Sequence, residues 1–281
     1  MFEVFKNRLE VTGILWTVTA LRISAGRSTE PIGSDLPVIK DALGKPMIPG
    51  SSFKGALRSR LETFLRGINP NLADDPANFT TITRNKQVKS LKEQYKNDDE
   101  GLTKAFLEMT DEISHLFGSP WIASKFHVRD LTVKSNAWFG QYQERDGVAI
   151  DRDTETAAEG KLYDFQVVPA GTPFEFRAVV ENAEEWELGL LTIGLHQFES
   201  EQIPLGGGRS RGLGVVKLDI DKMHWVDVEK NPQFLLQYLQ KIVMEDETAY
   251  EDAREYKDHW VQQLIDYLRG KISSPNQTIL S

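Results

Sequence analysis

Two aspartates lie in a part of the sequence that is suited to chemistry. Asp35 and Asp41 flank Pro37 within residues 26–50, a stretch that glycine and proline interrupt and that has no hydrophobic period. A loop of this length is usually either functional or disordered. Carboxylates in such a loop are candidates for acid–base work or for holding a cation, whereas capping of a turn beside Pro37 is the alternative interpretation of Asp35.

A second set of carboxylates alternates with other residues. Asp151, Asp153 and Glu155 resemble a calcium-binding loop, but the segment lacks the glycine and the distal glutamate of an EF-hand. The five histidines, at positions 115, 127, 196, 224 and 259, form no HExxH or i, i+4 pair, so we interpret each as structural. The absence of cysteine excludes disulfides, thiolate zinc sites and cysteine nucleophiles.

A glycine- and arginine-rich segment spans residues 205–214, with the sequence Leu-Gly-Gly-Gly-Arg-Ser-Arg-Gly-Leu-Gly. It is not a dinucleotide-binding fingerprint, because Arg211 occupies the place of the third glycine, and not a Walker loop, because Leu213 follows Gly212. What remains is backbone N–H groups with the guanidinium groups of Arg209 and Arg211, a combination that suits a phosphodiester backbone. The alternative is a tight turn that needs positive φ, although the segment has more glycine than we expect such a turn to require.

A helix start follows the long loop, in the sequence Pro49-Gly-Ser-Ser-Phe-Lys-Gly-Ala-Leu-Arg58. Ser51 or Ser52 is the expected N-cap, and small residues at a helix N-terminus leave N–H donors open to an anion. Lys54 and Arg58 are one turn apart and add two full charges to one face. Taken alone, the segment also fits an ordinary capped helix with a solvated face.

The composition is that of a globular protein with an uneven charge distribution. The 281 residues are 40% hydrophobic and 27% charged, and 33 Lys and Arg against 42 Asp and Glu give a net charge of −9. This charge argues against a general nucleic-acid coating protein. Residues 1–66 nevertheless hold 10 basic and 6 acidic residues, whereas residues 219–281 hold 7 and 12. We interpret the difference as one basic face for an anionic partner, with chance as the alternative.

The sequence predicts a soluble, cytoplasmic protein without a membrane partner. No apolar run approaches the ~18 residues that a membrane helix needs. The charged N-terminal residues do not fit a signal peptide.

The order of elements predicts an α+β fold. Alternating apolar residues predict a strand over residues 9–23, and the helix that follows has an apolar stripe of Phe53, Leu57, Leu61 and Phe64 or Leu65. The remaining predictions are a polar insertion or mobile loop over 67–101, a helix over 102–116, strands over 125–139, 162–168, 174–180 and 215–220, a helix over 184–198, and two amphipathic helices after Asn231. This order fits a ferredoxin-type sandwich.

Three segments, in this order, resemble those of the RAMP superfamily, and more narrowly those of the backbone subunits of type III CRISPR effector complexes. They are Pro37-Val-Ile-Lys-Asp41 with Pro46-Met-Ile-Pro-Gly-Ser-Ser-Phe-Lys-Gly-Ala-Leu-Arg58, then Ile150-Asp-Arg-Asp-Thr154, then the glycine-rich segment. The resemblance covers roughly residues 8–220. It predicts a RAMP domain over residues 1–220 with a variable insertion at about 67–115, followed by a helical C-terminal extension over 221–281.

The resemblance implies an RRM-like, ferredoxin-like core with a protruding hairpin, here called the thumb. It implies copies that stack into a filament along one CRISPR RNA, which pairs with a complementary target RNA. The implied partners are therefore CRISPR RNA, target RNA, neighbouring RAMP subunits and other type III effector proteins. The implied RNA-binding residues are Ser51, Ser52, Lys54, Arg58, Gly207, Gly208, Arg209, Ser210 and Arg211, and the implied thumb base consists of Ile150, Asp151, Arg152, Asp153 and Thr154.

The resemblance also implies an endoribonuclease that cuts target RNA with a loop aspartate. The position just before Pro37-Val-Ile-Lys-Asp41 assigns this role to Asp35, whereas Asp41 matches a structural position. In-line attack by a 2′-hydroxyl needs a splayed nucleotide and charge stabilisation at the scissile phosphate, which one carboxylate with a divalent cation can supply. We therefore expect Mg²⁺ as the cofactor and Asp35 as its ligand.

Other functions stay open on the sequence alone. The same fold can be a non-catalytic scaffold for CRISPR RNA, although the presence of Asp35 favours cleavage. A guide-processing endonuclease of the same superfamily works without metal and usually uses a histidine in the first βα region, and residues 8–66 contain none. A module that binds only proteins would leave the basic face of Lys54 and Arg58 unused.

Overall fold

The chain contains both strands and helices, in an order that keeps four helices together and then five strands. The computed structural model describes residues 4–24, 26, 35–150, 157–228 and 231–272. Its strands are β1 (Asn7–Thr17), β2 (Met47–Ile48), β3 (Phe126–Val128), β4 (Leu131–Thr132), β5 (Gln143–Ile150), β6 (Ala157–Val167), β7 (Pro173–Glu181), β8 (Val216–Asp227) and β9 (Glu251–Asp252). Its α-helices are α1 (Gly50–Ile68), α2 (Ile82–Gln94), α3 (Asp99–Glu108), α4 (Glu112–Phe117), α5 (Glu185–Glu199), α6 (Pro232–Val243) and α7 (Lys257–Ile272).

The central sheet has a ferredoxin-type topology. Its strands follow the order β3-β7-β1-β8-β9, and every neighbouring pair is antiparallel. Along the chain, β1, α1, β3, β7, α5 and β8 form a βαββαβ unit, to which the short edge strand β9 is added. The mixed α+β class predicted from the sequence is confirmed.

The core begins at β1, the middle strand of this sheet. Leu9, Val11 and Leu15 are at most 1% exposed, because alternate residues of a strand point to the same face. Leu9 lies opposite Val180 of β7 and Trp225 of β8, so the strand is paired on both edges. The alternating pattern of the sequence therefore identified the central strand, although β1 ends at Thr17, earlier than predicted.

Helix α1 packs its apolar stripe on the core as predicted. Phe53, Leu57, Leu61 and Leu65 are buried, and the Phe53 ring stacks on Phe198 of α5 with centroids 4.3 Å apart. This stripe fixes the rotation of α1 about its axis, and so determines which residues its other faces present.

The predicted serine cap of α1 is wrong. The helix begins at Gly50, its N-cap is Pro49, and the carboxylate of Asp130 accepts the N–H of Gly50 over 2.7 Å. A residue between β3 and β4 therefore takes the capping role that Ser51 or Ser52 was expected to fill. Both serines lie inside the first turn instead.

The polar region after α1 is helical and not a loop. Residues 70–72 and 76–80 form 3₁₀ turns, and α2 and α3 follow. Every residue of α2 is at least partly exposed, so the sequence has no apolar period there to mark the helix. The helix predicted over 102–116 is divided into α3 and α4, because Asp111 caps α4 by accepting the N–H of Ser114.

The C-terminal part of the chain shares the main core. Strand β8 continues across the boundary predicted at residue 220. Trp260, Leu264 and Leu268 of α7 are at most 6% exposed and belong to the main hydrophobic cluster. Helix α7 lies so close to α5 that a Cβ added at Gly189 would be 2.1 Å from the carbonyl oxygen of Trp260. Among the described residues, no helix is long and apolar enough to cross a membrane.

A hairpin of β5 and β6 forms a separate two-stranded antiparallel sheet. The strand predicted over 162–168 is the second half of β6. The strand predicted over 125–139 is interrupted: it consists of β3, β4 and a 3₁₀ turn at Ser135–Ala137. The prediction was too long there because short strands separated by turns leave no sharp break in the apolar pattern.

Candidate nucleic-acid interface

A groove of about 460 Å³ lies between the N-terminal half of α1 and the glycine-rich segment. Its lining includes Ser51, Ser52, Arg60, Gln202, Gly206 and Arg209. Two arginines and four hydroxyl groups in one open groove supply the donors that phosphate oxygens accept. The groove thus combines two segments that the sequence placed more than 140 positions apart.

The α1 side of the groove is a row of small residues. Ser51, Gly55, Ser59 and Thr63 recur every four positions, so they share one face of the helix and leave room beside it. Sequence reasoning identified Ser51 but missed Gly55, Ser59 and Thr63. The four-residue spacing of small residues was the signal that could have found this face.

Arg60 is the second residue that sequence reasoning missed. Its guanidinium lies over the Phe64 ring, 4.7 Å from the centroid, and contacts the side-chain oxygen of Gln197 over 3.3 Å and 3.4 Å. These contacts orient the group toward the groove that it lines. A guanidinium held in this way presents donors to an anion without losing further side-chain freedom.

The glycine-rich segment forms the opposite wall of the groove, and several of its residues have positive φ angles. Gly206, Gly208, Gly212 and Gly214 have φ between 74° and 86°, in the left-handed region that favours glycine. A Cβ added at Gly206 would lie 2.1 Å from the carbonyl oxygen of Arg22. Turn geometry therefore accounts for most of this glycine, contrary to our expectation that the segment held more glycine than a turn needs.

Several backbone donors of this segment are used internally. The N–H of Gly207 donates to the carbonyl of Arg22 over 2.8 Å, and the N–H of Arg211 donates to the carbonyl of Gly208 over 2.8 Å. The side chain of Ser210 is exposed in the 3₁₀ turn Arg209–Arg211. The cradle of free N–H groups predicted here is consequently smaller than expected, and side chains supply more of the donors.

Arg209 and Arg211 contact different parts of the protein. Arg209 lines the groove, where its Nε donates to the carbonyl of Gly206 over 3.0 Å. Arg211 donates instead to the Tyr163 hydroxyl of β6 over 3.1 Å. The two arginines were expected to act together, but the structure directs only Arg209 to the groove.

Lys54 faces away from the groove, toward the interior. Its Nζ donates to the hydroxyl of Ser124 over 2.6 Å and to the carbonyl of Phe126 over 2.9 Å. Burial, and secondarily the positive charge of Arg58, lowers the pKa of Lys54 to about 8. Lys54 is therefore not the free cationic group that was predicted, because its Nζ is hydrogen-bonded within the protein.

Arg58 lies on the same face and is also hydrogen-bonded to neighbouring segments. It donates to Glu62 over 2.8 Å, to the carbonyl of Gly118 over 2.9 Å and to the hydroxyl of Ser114 over 2.9 Å. Its side chain is only 16% exposed. The prediction that Lys54 and Arg58 form an open basic face is wrong, because segments distant in sequence cover that face. Both side chains anchor α1 to α4 and β3.

Asp35 is exposed, and its loop lies against the hairpin. Its N–H donates to Oδ1 of Asp164 over 2.8 Å, and Leu36 forms a parallel bridge with Phe165. Asp41, five positions beyond Leu36, accepts the N–H groups of Leu43 and Lys45 and so stabilises a turn. The carboxylate of Asp35 can reach solvent and any ligand brought there.

The described residues contain no group of three or more His, Asp and Glu side chains that could hold a metal ion. A protein cage for a cation is thus absent from that part of the chain. Mg²⁺, however, keeps several water ligands and is commonly bound through one or two carboxylates together with substrate phosphates. The exposed Asp35, next to Asp164, fits that mode of binding and no stronger one.

Of the residues predicted for the thumb, the structure describes only Ile150, in the β5–β6 hairpin. Ile150 is the last residue of β5 and pairs with Ala157. Asp151, Arg152, Asp153 and Thr154 lie outside the described residues. The hairpin is present where a thumb was expected, and the contacts of its tip stay a prediction.

A family model described as the RAMP superfamily matches residues 15–217. This match covers the end of β1, all of α1, the hairpin, α5 and the glycine-rich segment, and the start of β8. The chain belongs to the RAMP superfamily.

Three curated relatives are similar to this chain over most of its length. A protein of Enterococcus italicus is 25% identical over 222 residues, which are 78% of this chain and 94% of the relative. A protein of Streptococcus thermophilus is 28% identical over 72% of this chain and 82% of the relative, and one of Methanocaldococcus jannaschii is 30% identical over 75% and 79%. All three are named CRISPR system Cms endoribonuclease Csm3.

Proposed function

We propose that the chain is a backbone subunit of a type III CRISPR ribonucleoprotein, that it binds CRISPR RNA, and that it cuts complementary target RNA. The names of its relatives support the class, and the groove between α1 and the glycine-rich segment supports the binding role. In this proposal, copies of the chain and other type III proteins assemble along the same RNA.

The single observation that carries the proposal is the convergence of Arg60 and Arg209 on one groove with Ser51 and Ser52. This arrangement can bind phosphates but does not recognise bases. A guide RNA whose specificity comes from base pairing requires only such phosphate binding from the protein. The net charge of −9 does not conflict with this role, because only one strip of the surface contacts RNA.

Asp35 is the proposed catalytic residue. It lies in an exposed loop at the base of the hairpin, where a target strand paired to the guide would pass. A divalent cation, Mg²⁺ in the proposal, would supply charge stabilisation at the scissile phosphate. Asp35 would hold the hydrated cation, Asp164 would position the Asp35 backbone, and the fold would hold the nucleotide in line for attack by its own 2′-hydroxyl.

The binding role is tested with the full chain and a fluorescent single-stranded RNA of mixed sequence, titrated at several salt concentrations. Replacing Arg60 and Arg209 together by alanine should weaken binding and lower the salt slope by roughly 0.7 for each lost phosphate contact. Arg254→Ala is the matched control, since its exposed guanidinium pairs with Asp252 away from the groove. An unchanged slope in the double variant contradicts the proposed groove.

A non-catalytic scaffold is the second candidate, because the groove alone would suffice for it. The exposure of Asp35 is the observation that favours the endoribonuclease. Cleavage of target RNA by the assembled complex decides between the two.

A further inference from the structure

Three aromatic side chains form a cluster on the surface just before β5. Trp138, Phe139 and Tyr142, here called the aromatic platform, lie within one short segment. The Trp138 and Phe139 rings are stacked, with centroids 5.7 Å apart and an angle of 27° between their planes. The ring centroids of Trp138 and Tyr142 are 5.1 Å apart. Phe139 is nevertheless 66% exposed. A phenylalanine ring supported on one side and bare on the other presents a flat surface to a ligand.

The platform is held in place by the loop that follows Asp35. The Tyr142 hydroxyl donates to the carbonyl of Gly44 over 2.7 Å. Trp138 and Tyr142 are partly buried against the main hydrophobic cluster. A rigid ring system loses little conformational freedom when a ligand stacks on it.

One lysine contacts the platform, and two more lie close to it along the chain or through Ser135. Lys40 lies over the Tyr142 ring, with Nζ 4.4 Å from the centroid. Lys45 donates from Nζ to the hydroxyl of Ser135 over 3.0 Å, and Lys134 next to it is exposed. Asp41, which lies between Lys40 and Lys45 in the sequence, accepts the N–H groups of the turn that it stabilises. Exposed rings beside cations are the combination by which proteins bind single-stranded RNA, through base stacking and phosphate contacts.

The position of the platform relates it to the proposed site of cleavage. Lys40 is five residues from Asp35, so their Cα atoms are separated by at most about 18 Å. Tyr142 directly precedes β5, whose partner strand β6 carries Asp164. A nucleotide bound here would lie at the base of the hairpin, on the side of the Asp35 loop.

We infer that the aromatic platform stacks one unpaired RNA base on Phe139, with Lys40, Lys45 and Lys134 binding the adjacent phosphates. This rests on the proposed RNA-binding function and adds a second contact outside the groove. RNA is favoured over a protein partner because the cations interrupt the apolar surface, whereas the core of a protein interface is depleted of charged residues.

The test uses the full chain and single-stranded RNA that carries 4-thiouridine, with binding measured by titration and contacts mapped by photocrosslinking. Phe139→Leu keeps an apolar side chain but removes the ring, and Phe139→Trp keeps a ring. Loss of one stacked base should weaken RNA binding by Phe139→Leu about five- to 150-fold, and Phe139→Trp should retain wild-type affinity. Val243→Ala is the control, because Val243 is 82% exposed on α6, outside the platform.

The outcomes are distinct. A crosslink to Phe139 or Trp138 that Phe139→Leu abolishes supports the inference. If wild type binds RNA and Phe139→Leu binds equally well, the platform is not a base-stacking site, while the groove proposal stands. If wild type does not bind RNA at all, the proposed function fails and the inference fails with it. Unchanged melting temperatures of the variants show that the exposed ring is not needed for folding.

Discussion

The backbone N–H of Asp35 donates to the carboxylate of Asp164 over 2.8 Å, across 129 positions of the sequence. The contact continues along the chain: Leu36 bridges Phe165, and its carbonyl accepts the N–H of Gln166 over 3.1 Å. Asp35 and Leu36 are therefore positioned by β6 of the hairpin.

This contact predicts that Asp164 positions Asp35. Asp164→Ala should slow target RNA cleavage about ten- to 100-fold, because a hydrogen bond to a charged acceptor contributes about 1.5–3 kcal/mol. RNA affinity should stay unchanged. Asp164→Asn retains an oxygen at the same place and should restore most of the rate. Cleavage rates of the assembled complex measure this, and an Asn variant as slow as the Ala variant would show that the charge of Asp164 is needed in itself.

Asp35 is expected to be essential for cutting and dispensable for binding. Asp35→Asn removes the charge while keeping size and most hydrogen bonding, so target RNA cleavage in Mg²⁺ should fall by orders of magnitude. Guide loading and target affinity should be nearly unchanged. Single-turnover cleavage with and without a chelator measures both the residue and the cation. Normal cleavage by the Asn variant would favour the scaffold.

Arg58 should matter for stability more than for RNA. Arg58→Ala removes hydrogen bonds to Glu62, Ser114 and the carbonyl of Gly118, so we expect the free energy of unfolding to fall by about 1.5–3 kcal/mol. The salt slope of RNA binding should not change, in contrast to that of Arg209→Ala. Urea denaturation and the RNA titration provide the two readouts, and a lowered slope without destabilisation would return Arg58 to the interface.

Lys54 predicts a pH dependence with a definite sign. Its pKa is about 8 in the folded chain and 10.5 when unperturbed, so the unfolded chain binds more protons between these values. The cost of burying the charge is present in full below pH 8 and disappears as the pH rises to 10.5. The unfolding free energy of wild type, relative to that of Lys54→Met, should therefore increase between pH 7.5 and about pH 10. A difference independent of pH would mean that Lys54 titrates alike in both states.

The periodic parts of the fold were predictable from the sequence. Leu9, Val11 and Leu15 of β1 and the stripe of α1 were identified because burial on one face imposes a period on the sequence. Helix α2 was missed because it lies on the surface and carries no such period.

The site was only partly predictable, since the sequence does not show which face of a helix another segment covers. Lys54 and Arg58 share a helical face as expected, but Ser124 and Ser114, at least 56 positions away, take up their donors. Arg60 was missed for the same reason: its role depends on the glycine-rich segment on the far side of the groove.

Each face of helix α1 either packs on the protein or lines the groove. Phe53 and Leu57 face the core, Lys54 and Arg58 are bonded to neighbouring segments, and the small residues represented by Ser59 line the groove. Natural variation along this helix should therefore be low at nearly every position and should lack a 3.6-residue rhythm. Substitutions in the family should accumulate instead in surface elements such as α2. The sequence of α1 should therefore change slowly and be suited to comparing distant members.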